Sequence, residues 1–155
     1  MIGLKIYVTT PSDENIVKLC ENICLQNHIK NGGTIRFTEL YKESKYVLYC
    51  KLNGNIVGYM YLSEGFIFGN DIYIEQIAVK KDMQKLGIGT AMIKYLKNHS
   101  KNFKFITSNV NPNNQMSICF HQKNGFKQVG TNEYGLTFAY KTKSFFNHNL
   151  FKCKY

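Results

Sequence analysis

Ile74-Glu75-Gln76-Ile77-Ala78-Val79-Lys80-Lys81-Asp82-Met83-Gln84-Lys85-Leu86-Gly87-Ile88-Gly89-Thr90-Ala91-Met92-Ile93-Lys94-Tyr95-Leu96 is the stretch on which the fold turns. It begins inside a strand, DIYIEQIAV at 71–79, whose apolar positions are Ile72, Ile74, Ile77 and Val79. It ends in a helix with Met92, Ile93 and Leu96 on one face and Lys94 and Lys97 on the other. Between them runs a polar loop carrying Gly87 and Gly89. Glycine there allows positive φ and a close backbone approach to a ligand. The first helical turn aims unpaired N–H groups into the loop with the helix dipole behind them, which makes an anion site suited to a diphosphate. No Lys follows the second glycine, so this is not the GxxxxGK[ST] phosphate loop, and no third glycine completes GxGxxG. The spacing QxxGxG alone reads equally well as a tight turn with glycines for close packing.

Working outward, residues 3–9 read as an opening strand, and Thr10-Pro11 as an N-cap and first helical position. Ile16, Leu19, Cys20, Ile23 and Cys24 form an apolar stripe at helical spacing, and Asn31-Gly32-Gly33 closes the region. A short helix is expected around 35–41. Two strands at 46–52 and 56–62 flank Asn53-Gly54-Asn55, a hairpin signal. Beyond the glycine loop and its helix come a strand at 103–110, a helix from about Pro112 to a C-cap at Asn124-Gly125, and strands at 126–130 and 136–142. This order predicts one mixed α/β domain over residues 1–155, with a strand–loop–helix unit at its centre.

Composition narrows the function. At 155 residues and 44% hydrophobic, the chain can bury a core, and no apolar run approaches the length of a membrane span. The N-terminus has no signal-peptide pattern, so a soluble cytoplasmic protein is expected, with no membrane partner. The five cysteines, Cys20, Cys24, Cys50, Cys119 and Cys153, are odd in number and scattered. They read as small buried hydrophobes rather than a disulfide or zinc framework, and no metal is expected. The net charge of +10 reads either as a pull on an anionic partner or, beside the excess of Asn and Ile, largely as compositional background. Nineteen of the twenty basic residues are Lys, with Arg36 the exception. That argues against nucleic acid, whose readers favour the planar Arg fork.

A second signal follows the loop in the right order. From Asn114 the chain reads NQMSICFHQKNGF, with small Ser117, Phe120 and Gly125-Phe126 at fixed offsets. With both segments in hand, the sequence resembles the GNAT superfamily of N-acetyltransferases. That family's strand–[RQ]xxGx[GA]–helix is similar to residues 74–96, and its NxxAxxFYxxxGF motif to 114–126. The resemblance in element order covers about 2–143.

The resemblance implies an α/β (α+β) fold, with a mixed, mostly antiparallel sheet splayed at its middle and about four flanking helices. It implies acetyl-coenzyme A as co-substrate and an amine of a small molecule, peptide or protein as acceptor. The backbone of Ile77, Ala78 and Val79 would pair with the pantetheine arm. The amides of Gln84, Lys85, Leu86, Gly87, Ile88, Gly89 and Thr90 would hold the pyrophosphate. Asn114 would bond the pantetheine or diphosphate region, with Ser117 and Phe120 completing the motif. Lys80, Lys81 and Lys85 would attract the anionic carrier. An N–H near Val79 would stabilise the oxyanion. Glu75, a carboxylate on an apolar strand, is the candidate base, or else an outward or salt-bridged residue. His121 replaces the family's Tyr; it would protonate the leaving thiolate, or it is a helix-surface residue and Tyr134, Tyr140 or water acts instead. Two other functions stay open: a coenzyme A-binding module without turnover, and a basic nucleic-acid-binding domain. The segments 20–45 and 130–137 would set acceptor specificity, and the aromatic tail could support a homodimer.

Overall fold

The computed structural model describes residues 3–28 and 43–143. The expected helix at 35–41, Cys153 and the aromatic tail lie outside these residues. The chain order is β1 (Leu4–Thr9), α1 (Glu14–His28), β2 (Tyr46–Leu52), β3 (Asn55–Glu64), β4 (Asp71–Val79), α2 (Ile88–His99), β5 (Phe105–Val110), α3 (Gln115–Lys123), β6 (Lys127–Asn132) and β7 (Gly135–Lys141). A single 3-10 turn, Lys81–Met83, precedes α2. Among the described residues the α-helices number three, against the four expected.

The seven strands form one sheet in the order β1-β2-β3-β4-β5-β7-β6. Every pairing is antiparallel except β4 with β5. A parallel pair cannot be joined by a hairpin, so α2 serves as the crossover. The β2–β3 turn is tight because Asn53 and Gly54 both take positive φ, +50° and +81°, as a two-residue hairpin of this twist requires.

Apolar side chains fill both faces. Met60, Leu62, Ile72, Ile74, Ile106 and Phe138 pack under Ile88, Met92, Ile93 and Leu96 of α2. On the other face Val47, Tyr59 and Tyr61 meet Ile16, Cys20, Ile23 and Cys24 of α1. The helical stripe read from the sequence therefore holds except at Leu19, which is 48% exposed. The start of α1 also moves. Asp13, not Thr10, caps it, with its carboxylate accepting from the Ile16 amide at 3.3 Å and its carbonyl from Val17 at 3.0 Å. Pro11 sits in the turn before the helix.

Asp71, fully buried at the start of β4, fixes the 65–70 connection. Its carboxylate accepts from the amides of Ile67 (3.2 Å) and Phe68 (2.9 Å) and from the Thr107 hydroxyl on β5. This holds the Phe66 ring 4.4 Å from that of Tyr73. Asp71→Ala leaves the buried Thr107 hydroxyl without its acceptor, while the loop amides can turn to water. We expect a loss of about 2 kcal/mol and a Tm lowered by about 4–8 °C, read by thermal denaturation; an unchanged Tm would contradict the anchoring role.

Candidate active site

β4 and β5 pair only from Asp71–Ile74 to Phe105–Ser108. Beyond Ile74 the two strands part, while β3 stays paired with β4 as far as Val79. Among the described residues, the β5-facing edge of residues 75–79 has no strand partner. Such an edge can take up an extended chain by strand addition. The parting coincides with a bulge. Tyr61 lies opposite Gln76 and Leu62 opposite Ile74, so Glu75 is the extra residue. The bulge lets Ile72, Ile74, Ile77 and Val79 all pack on the α2 side despite the three-residue step at its centre. That broken alternation is visible in the sequence and marks the bulge.

The edge leads into the glycine loop. Gln84 anchors the loop by its side chain, which donates to the Val79 carbonyl (3.1 Å) and to Asn27 Oδ1 (3.3 Å). Asn27 of α1 donates to the same carbonyl at 2.9 Å. Lys85 and Gly87 both take left-handed backbone, φ +63° and +83°. The first helical bond runs from Ala91 to the Gly87 carbonyl at 2.9 Å, and among the described residues the amides of 85–90 donate to no other group. Alternating left-handed residues at a helix N-terminus gather such amides into an anion-binding concavity.

The two glycines do different jobs. A Cβ on Gly87 would meet nothing within 4 Å, so open space lies before the loop. A Cβ on Gly89 would come within 3.0 Å of the Phe120 ring. Gly89 therefore permits α2 to seat against α3, and Phe120 supports the loop from behind. Ile88 buries its side chain in the core, whereas Leu86 and Thr90 are exposed. Lys80 faces Asp82 at 3.5 Å.

Asn114 caps α3, its side-chain oxygen accepting from the Ser117 amide at 3.0 Å. That oxygen is thus engaged in the fold, and its amide nitrogen is the group left for a ligand. His121 is not on the helix surface. It is 1% exposed, beside the rings of Phe120, Phe126 and Phe138. Its Nδ1 lies 2.8 Å from the Ser117 carbonyl, which can only accept, so Nδ1 carries the proton. Nε2 is then a bare lone pair, buried and without a partner among the described residues. Burial pushes the His121 pKa down, partly offset by the Ser117 carbonyl, and so favours this neutral form. In that form Nε2 has no proton to give.

The α1-side face of the opening holds the groups with acid–base chemistry. Glu75, half-buried, accepts from the Ser63 hydroxyl at 2.6 Å. Burial pushes its pKa up, the Ser63 bond pulls it back, and repulsion from Glu43 raises it further. No ion pair of Glu75 occurs among the described residues. Next to it Tyr73 contacts Asn109, and Asn109 contacts Thr137. Tyr134 is 60% exposed in the β6–β7 turn, and Tyr140 lies under the Lys97 ammonium, 3.8 Å from its ring centre. Ser63, Tyr73, Asn109 and Thr137 were not read as site residues from the sequence. Their signal is phase, since polar residues on β3, β4, β5 and β7 meet where the sheet opens. Cys20, Cys24 and Cys50 are buried as expected, with burial pushing the thiols of Cys20 and Cys50 up to about 12. No group of residues that could hold a metal ion occurs among the described residues. No helix among them is long and apolar enough to cross a membrane.

The His121 geometry predicts a pH effect on stability. A histidine whose folded pKa lies below its unfolded value near 6.5 adds stability above that pH, and the contribution is lost as pH falls. Denaturant unfolding between about pH 5 and 7.5 should show wild type weakening toward acid more steeply than His121→Gln. Parallel curves would mean the ring has the same pKa folded and unfolded, and would contradict its burial in the neutral form.

Comparison with known proteins accords with this geometry. The family model described as acetyltransferase (GNAT) family matches residues 19–126, from α1 through the second motif. A relative named as an uncharacterised N-acetyltransferase from Methanocaldococcus jannaschii is 33% identical over 94 residues, 59% of this chain and 57% of the relative. The matched region thus spans just over half the length of that relative. Solved structures share the fold at low identity. The PaiA N-acetyltransferase of Thermoplasma acidophilum, in complex with coenzyme A, aligns with a TM-score of 0.69 at 15% identity, over 90% of this chain and 99% of that one. The ribosomal-protein-S18-alanine N-acetyltransferase of Escherichia coli aligns at 0.66 and 14%, over 96% and 99%. With its family model spanning most of the chain and centred on the parted strands and the amide loop, this protein belongs to the GNAT acetyltransferase family.

Proposed function

We propose that the protein transfers an acetyl group from acetyl-coenzyme A to a primary amine of a small molecule or peptide, by direct attack within a ternary complex. One observation carries the reading. The edge of β4 that has no strand partner among the described residues begins where β5 departs and leads straight to the amides of residues 85–90, which donate to no described group of the chain. A carrier with a peptide-like arm and a diphosphate matches that continuous backbone surface: Ile77, Ala78 and Val79 face the arm, and the loop faces the phosphates. The coenzyme A complex of the Thermoplasma fold neighbour supports the same choice of carrier.

The thioester then lies where the sheet opens, within reach of the α1 side. An alkylamine with a pKa near 10.4 is almost wholly protonated at neutral pH and must lose a proton before it attacks. Glu75 is the base. Its upward-shifted pKa brings it closer to working pH, which strengthens a carboxylate as a proton acceptor. The Ser63 hydroxyl holds one carboxylate oxygen and leaves the other for the amine or an intervening water. A backbone N–H on the free edge toward Val79 stabilises the oxyanion. The bare Nε2 of His121 favours a second reading, a coenzyme A-binding protein without turnover. Turnover separates the two.

The test pairs binding with rate. Acetyl-coenzyme A at 100 times its dissociation constant should stabilise the fold by about 2.7 kcal/mol in thermal denaturation. Wild type should release free thiol with at least one member of a panel of primary amines. Glu75→Gln should keep the thermal shift and lower the rate at neutral pH by about 100-fold or more. A shift with no turnover on any amine would support the silent binder, and no shift would remove the carrier assignment.

A further inference from the structure

We propose that Tyr73 is the proton donor to the leaving sulfur, supplied from β4 rather than from the α3 position that His121 occupies. This rests on the acetyl-transfer reading above and names a catalytic residue within it.

Three observations lead to Tyr73. First, it is 6% exposed, sits two residues before Glu75 and lies in the last stretch of β4 still paired with β5. Second, its oxygen is held by donors. Thr137 Oγ1 donates to Asn109 Oδ1 at 2.9 Å, which leaves Asn109 Nδ2 to donate to the Tyr73 oxygen at 3.2 Å. A phenol oxygen that accepts must send its own proton elsewhere. Asn109 follows Ser108, the last residue of β5 paired with β4, so this contact stands at the vertex of the opening. Third, two alternatives are committed: His121 Nε2 bears no proton and Tyr140 is stacked beneath Lys97, while Tyr134, whose ring meets Phe66 at the same opening, is open to solvent at 60% exposure.

The step balances as follows. The ammonium first gives one proton through Glu75 to solvent; the neutral amine nitrogen then bonds to the thioester carbon, and Glu75 takes the second proton that the nitrogen gives up. As the tetrahedral intermediate collapses, the C–S bond breaks and its electron pair stays on sulfur. The Tyr73 hydroxyl gives its proton to that sulfur while receiving the one held by Glu75. No tyrosinate persists, the carboxylate is restored, and amide and free thiol are the products. Burial pushes the Tyr73 pKa up, the Asn109 hydrogen bonds pull it part of the way back and the charge of Glu75 adds to the rise, so the resting hydroxyl is protonated.

Tyr73→Phe and Asn109→Asp test this on the full chain. Tyr73→Phe should lower kcat by about 10-fold or more while the acetyl-coenzyme A thermal shift and KM stay within about 2-fold, and it should reduce the solvent deuterium isotope effect on kcat. Asn109→Asp is close in shape but turns the donor beside Tyr73 into an acceptor. It draws the hydroxyl proton away from sulfur and should lower kcat as well, though a purely structural role would leave kcat unchanged. His121→Gln should remain within about 3-fold of wild type, since its proton takes no part. Wild-type kcat in Tyr73→Phe, an unchanged isotope effect, or a collapse confined to His121→Gln would each overturn the assignment. Wild type that binds acetyl-coenzyme A but acetylates no amine would remove the acetyl-transfer reading and this step with it.

Discussion

The structure depends on the early end of the β4–β5 pairing. A parallel pair inside a sheet normally continues as far as both strands run, because unpaired backbone groups in the interior cost free energy. Here four residue pairs form, and then, among the described residues, five residues of β4 face no strand on that side. The antiparallel β3 keeps β4 straight and extended through the gap. The bulge at Glu75 rephases the side chains so that the apolar set still reaches one core. Without β3 the edge would collapse. Without the bulge, either Ile74 or Ile77 would point to the wrong face.

The two faces of the opening divide the work. On one side, α2 and α3 meet through Gly89 and Phe120, which leaves the loop amides to face outward. On the other, Ser63, Tyr73, Glu75 and Asn109 gather the acid–base groups. Asn27 and Gln84 tie α1, the end of β4 and the loop together at a single carbonyl, that of Val79. A shift of α1 is therefore felt at the anion cradle. Despite the net charge of +10, Glu43 and Glu75 on the α1-side face lie close enough to repel one another.

Much of this was legible in the sequence. The strand at 71–79 was bounded correctly because its β-branched run ends at the charged Lys80-Lys81. The hairpin was readable from Asn53-Gly54, since few other pairs tolerate two positive φ values. The tight turn into α2 was readable from Gly87 and Gly89, although only the structure separates the glycine that leaves space from the one that permits packing. Pro11 misled because a proline in a turn before a helix looks the same as one at the first helical position, and Asp13 supplied the stronger cap. That His121 faces inward was not readable, because a short amphipathic helix of weak periodicity does not reveal which side meets the sheet. Tyr73 and Asn109 were invisible because their meeting depends on register across β4 and β5, which local pattern does not encode.

The most direct measurement is amide hydrogen exchange of residues 85–90 with and without coenzyme A. Amides that donate to a bound diphosphate exchange more slowly, so the account requires strong protection confined to this stretch and to the 75–79 edge of β4. Binding that left these amides exchanging at their free rate, with protection appearing elsewhere on the sheet, would contradict it.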